Sequence, residues 1–140
     1  GRIVPHQPHG GCQHEAMTDP ATDFAAGAGP RRIHAPDVPL DWEPVPDEQV
    51  VSGHPQVGAA ELACPPGVEV GVWAHTVGVS TDVESDEVFV VLSGRATVEF
   101  ADGTALEIGP GDVGILPPGA ATRWTIHEDL RKVYVIRSAD

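Results

Sequence analysis

The sequence has little cysteine, little aromatic side chain and little positive charge, and these shortages exclude several classes of function. Only Cys12 and Cys64 occur in 140 residues. They form neither a CxxC pair nor a framework of several pairs, so their spacing points to no oxidising compartment, and the cytoplasm is the expected location. Lys and Arg together number 8 against 21 Asp and Glu, a formal net charge of -13. Such a surface repels phosphate backbones and anionic headgroups, which excludes general nucleic-acid binding and docking on anionic membranes. No run approaches the roughly 18 apolar residues that a spanning helix needs. Helical periodicity is essentially absent.

The 41% apolar content, 16 glycines and 14 prolines describe a soluble, turn-rich chain with enough length for one domain and a real core. The opening stretch "GRIVPHQPHGGCQHEA" lacks the apolar segment of a signal peptide and precedes the only methionine, Met17. It reads as an unstructured leader, foreign to the native chain on one reading. His6, His9, His14 and Cys12 belong to a flexible Gly/Pro/His mixture rather than to a chelating site. The following stretch, with "AAGAGP", reads as linker. The expected division is leader and linker over 1–39 and a single domain over 40–140.

From Val50 onward short apolar runs alternate with turn signals every eight to twelve residues or so, the pattern of an antiparallel sandwich or barrel. Strands are expected at Val57–Ala63, Val68–Thr76, Glu87–Leu92, Arg95–Phe100, Ala105–Ile108, Val113–Leu116, Thr122–His127 and Lys132–Arg137. Asp102-Gly103 is a hairpin signal because both residues tolerate positive φ. In the strand that begins at Glu87, both faces are apolar past the first residue. That pattern anticipates an outer wall covered by a second sheet or subunit, and therefore a homodimer.

Glu87 followed after six residues by Gly94, and Gly111, Pro117 and Gly119 at their spacings, resemble the second half of the first cupin motif, G-x5-H-x-H-x3/4-E-x6-G, and the frame of the second, G-x5-P-x-G-x2-H-x3-N. "GVW" at 71–73, Trp124 and "RKVYV" at 131–135 are similar to the subfamily that includes the ethanolamine-utilisation cupin and (S)-ureidoglycine aminohydrolase. The resemblance spans about Trp42 to Ile136 and implies an all-β fold, the cupin double-stranded β-helix or jelly-roll barrel. The motif-one histidines fall at Ser80 and Asp82, or at Thr81 and Val83, and the motif-two histidine at Thr122. With no imidazole at those positions the expectation is no metal cofactor. The weaker alternative is an ion held through Glu87, Asp82 or His75. The motif-two asparagine is replaced by Ile126, and Ala74 stands where the subfamily has an acid after the tryptophan.

If the match places Glu87 inside the barrel, desolvation is expected to raise its pKa into the range of a general acid or base. Lys132 and Tyr134 share one side of the last strand and are the expected catalytic partners, the lysine positioning an anionic group and the tyrosine passing a proton. Trp124, Thr122, Asp82, Trp73 and His75 complete the expected ligand-binding set, although a lone strand histidine is more often a surface or interface residue. Glu84 and Asp86 read as solvated edge charges. Asp112 reads as the fixing residue of its turn. No Gly-x-Ser-x-Gly context surrounds Ser80, Ser85 or Ser93, so covalent catalysis is not expected. These residues suggest a small cupin that binds a small polar metabolite with acid/base chemistry centred on Glu87. A non-catalytic sensing or dimerisation module with a filled barrel is the alternative.

Overall fold

A computed structural model describes residues 29–138. The leader expected over the first residues, with its histidines and Cys12, lies outside the described residues. Among the described residues nine strands follow one another: β1 (Asp41–Pro44), β2 (Val50–Ser52), β3 (Gln56–Ala63), β4 (Val68–His75), β5 (Gly78–Val83), β6 (Asp86–Phe100), β7 (Ala105–Ile108), β8 (Val113–Leu116) and β9 (Ala121–Arg137). All pairings are antiparallel. The sheet runs β1-β3-β4-β9-β5-β2, and β6 joins it along β9 while carrying β7 and β8 on its other edge. No helix among the described residues is long and apolar enough to cross a membrane.

The sheet curls because β6 and β9 are long enough to serve two walls. The first half of β6 pairs with β8 and with the second half of β9, and its second half pairs with β7 and the first half of β9. Register shifts at Val91, Ser93 and Arg95 mark the corner. Gly94 sits there at φ +91°, and a Cβ on it would collide with the carbonyl of Asp129, so the corner needs a residue without a side chain. This is why the segments expected as four strands are two bent ones. Breakers at a corner resemble breakers at a turn.

The inner faces close over a core that includes Trp73, Phe89, Val98, Leu116, Trp124 and Ile126. The turn expectations hold: Thr104 N–H donates to Asp102 Oδ1 at 2.8 Å, and Gly109 N–H to Asp112 Oδ2 at 2.8 Å. Three strands escaped the sequence reading, β5 most consequentially. Its inward residues are Gly78, Ser80 and Asp82, so it shows no apolar alternation.

The Arg131 guanidinium donates to the carbonyls of Ala35 and Val38 at 3.1 and 3.2 Å and holds that segment against the sheet. Within the single chain the two β6 faces differ. Phe89 and Val91 are buried, whereas Val88 and Val90 are 43% and 38% exposed. Their outward row continues across neighbouring strands, Val88 beside Ile115 and Val135, Val90 beside Val113 and Val133.

Candidate functional site

The barrel interior is polar at its centre. Lys132, on β9, is completely buried, and its Nζ lies 2.7 Å from Glu87 Oε2. The ammonium also faces three aromatic rings, with Nζ 4.4 Å from the centroids of Trp73 and Phe89 and 4.7 Å from that of Trp124. Ring faces carry partial negative charge, so this cage stabilises a cation where water is excluded. Burial alone would push the Glu87 carboxyl up, but positive charge and hydrogen bonding, with the Lys132 charge the largest contribution, hold the pKa below the usual carboxylate range. The raised pKa expected for Glu87 is therefore corrected: the partner that the sequence suggested keeps the carboxylate ionised.

A second acidic group lies beside this centre. Glu84 is buried, not a solvated edge charge. Its Oε2 accepts hydrogen bonds from Thr122 Oγ1 at 2.5 Å and from Trp124 Nε1 at 2.9 Å. The expectation failed because β5 ends at Val83 and β6 begins at Asp86. The turn between them resets the alternation, so Glu84 and Glu87 both face inward despite their odd separation. Asp86 does behave as an edge charge and pairs with Arg137 at 2.9 Å.

Asp82 faces the interior from β5 at 6% exposure. Its Oδ1 accepts from Val83 N–H at 2.8 Å, while its Oδ2 is buried with no hydrogen-bond partner among the described residues. Burial, and then the Glu84 charge, push its carboxyl up to about 8. Asp82 and Thr122 also line a cleft of about 570 Å³ with Gln49, Thr81, Phe100 and Arg123.

His75 is fully buried beside Trp73, ring centroids 5.5 Å apart, rather than at the surface. Burial lowers its pKa to about 4, with the Lys132 charge acting in the same direction. The imidazole is therefore neutral at physiological pH. Its Nδ1 lies 2.7 Å from the Thr76 carbonyl and its Nε2 2.8 Å from Ser80 Oγ. The carbonyl can only accept, so Nδ1 carries the hydrogen and the Ser80 hydroxyl donates to Nε2.

Every site residue expected from the sequence is buried, but they fall into smaller groups than expected. Glu87 and Lys132 form one unit with Trp73, Phe89 and Trp124. Thr122 and Trp124 bind Glu84. Tyr134 instead donates to Glu69 Oε2 at 2.6 Å. Glu84 and Ser80 were not expected as site residues and Glu69 was not singled out by sequence, and apolar alternation gave no signal for the Ser80–His75 pair, which the short connection from β4 to β5 brings together although both strands pair with β9 rather than with each other.

The positions where the resemblance puts metal ligands are Ser80, Asp82, Glu87 and Thr122, the inward parity of β5 selecting Ser80 and Asp82. They offer oxygen atoms only, and Glu87 is engaged by an ammonium. Among the described residues no three His, Cys, Asp or Glu side chains converge to hold an ion. The set does not fit Mn, Fe or Zn, which draw their affinity from nitrogen or sulfur ligands in such sites.

Residues 66–134 match the family model described as the EutQ-like cupin domain. No curated protein matches the chain significantly. Among solved structures, a Pseudomonas syringae pv. tomato protein of unknown function is similar at a TM-score of 0.63 and 23% identity, covering 71% of this chain and 45% of that one. The Clostridium difficile EutQ protein gives 0.60 and 17%, covering 78% and 87%. A putative ethanolamine utilization protein Q from Salmonella typhimurium LT2 gives 0.53 and 21%, covering 60% and 71%. At these identities the likeness shows the fold, and the chain spans less than half of the Pseudomonas protein.

Proposed function

The chain carries a cupin domain of the EutQ-like type, and from that premise we propose that its barrel binds a small polar ligand without a metal, with acid/base capacity at Asp82 rather than Glu87. The observation that carries this reading is Asp82 itself. It is a buried carboxyl, pushed up to about 8 by burial and the Glu84 charge, on the wall of a cleft of about 570 Å³. That volume lies within the range of about 300–1,000 Å³ typical of small-molecule sites. A group that titrates near neutrality can both give and take a proton, which an ionised Glu87 locked to Lys132 cannot do as readily. Thr122 and Gln49 are the neighbouring polar groups.

The test is ligand screening by NMR with the Trp124 indole N–H as reporter, because it donates to Glu84 close to the cleft. A genuine ligand is expected to shift that resonance in the native protein and to lose most of its affinity with Asp82→Ala. Binding that is unchanged by both Asp82→Ala and Thr122→Ala would reject the site. The outward row of valines and Ile115 favours a second reading, a non-catalytic module that pairs two copies of the chain.

A further inference from the structure

We infer that, among the described residues, the Lys132 ammonium acts as a resident cation of this barrel, tethered to the chain and balancing Glu87 in place of a metal ion. Lys132 is the only lysine in the sequence, yet it is completely buried. Long ammonium side chains almost never accept full burial unless the site pays back the lost hydration. Here the return comes from a carboxylate at 2.7 Å and three ring faces at 4.4, 4.4 and 4.7 Å. These groups surround one positive charge from several directions, as ligands surround an ion. The same charge acts on its neighbours. It helps keep His75 neutral and opposes the rise at Asp82, the kind of tuning that a metal would supply. An added cation would have to displace Lys132 from Glu87 or share the cage against its repulsion. The inference does not depend on the ligand proposed above, since it concerns the centre with or without an occupant.

The test combines metal titration with chemical rescue. The wild-type protein is expected to take up no Mn(II) detectable by electron paramagnetic resonance, and its thermal midpoint is expected to be insensitive to EDTA. Lys132→Ala should lower the midpoint strongly. Methylammonium, which fits the emptied cage, should restore at least about half of that loss, as a ligand selective for the folded state does. It should do nothing for the wild type or for the Glu87→Gln/Lys132→Ala double variant. Stoichiometric Mn(II) binding by the wild type, or a folded Lys132→Ala that methylammonium does not stabilise, would overturn the inference. If Lys132→Ala does not fold, Lys132→Met keeps the bulk and removes only the charge. Glu87 then holds a proton in the folded state that the unfolded chain gives up, so the midpoint of Lys132→Met should fall more steeply than that of the wild type as pH rises above the ordinary carboxylate range. A wild-type pH profile for Lys132→Met would equally reject the role assigned to the ammonium.

Discussion

Asp82 and His75 lie inside one barrel and couple its stability to pH in opposite directions. The folded-state pKa of His75 is lowered from 6.5 to about 4. Between those values the unfolded chain binds a proton that the folded chain refuses, so stability falls as pH drops through that window. The folded-state pKa of Asp82 is raised from 3.8 to about 8. The folded chain then keeps a proton that the unfolded chain releases, and stability falls as pH rises through that interval. Asp82→Asn removes the second slope while keeping the shape of the side chain. Its stability should exceed that of the wild type at pH 8 by an amount on the order of 2 kcal/mol, seen as a higher thermal midpoint, and differ little at pH 4. Thermal melts of both proteins across this range check it, and parallel profiles would contradict it. Removing Glu84 acts on the same group from outside. Glu84→Gln should make the alkaline decline smaller and end it at lower pH, because Asp82 loses a negative neighbour and its folded-state pKa moves back towards the unfolded value.

The bend in β6 is the element on which the barrel depends most. Gly94→Ala would force a Cβ towards the Asp129 carbonyl at a left-handed backbone position, so a loss of about 2–4 kcal/mol in urea unfolding is expected. A loss below about 0.5 kcal/mol, the range of ordinary surface substitutions, would show that the corner tolerates a side chain. How much was legible in the sequence differs by element for physical reasons. The edges of β3, β4, β7 and β8 were legible because apolar alternation ran between clear turn residues. β6 and β9 were each read as two strands, because alternation carries no information about whether a strand bends or stops. β5 was invisible as a strand, since what it buries is Gly78, Ser80 and Asp82. The site followed the same logic. Glu87 and Lys132 were legible as a pair through the family resemblance, whereas Glu84 was misread because the reading carried one parity through the turn that separates β5 from β6.

For the whole molecule, the outer sheet and the inner charge lead to separate tests. Val113 and Ile115 are 61% and 70% exposed, and they continue the outward row of Val88, Val90 and Val135 over three adjacent strands. A flat, β-branched apolar face of this kind associates with its own copy when nothing else covers it. The chain should sediment as a dimer, and Ile115→Glu should shift it to a folded monomer. A monomeric wild type would remove the pairing proposal. The inner charge concerns a protein of net charge -13 whose only lysine lies at its centre. Protein labelled with carbon-13 lysine therefore gives a single lysine spectrum, and the εCH2 protons of Lys132 report directly on the three rings around Nζ. The central claim predicts ring-current displacement far upfield of the random-coil position, partly lost in Glu87→Gln as the ammonium is released. A sharp signal at the random-coil position would place Lys132 in solvent and contradict the caged ion pair.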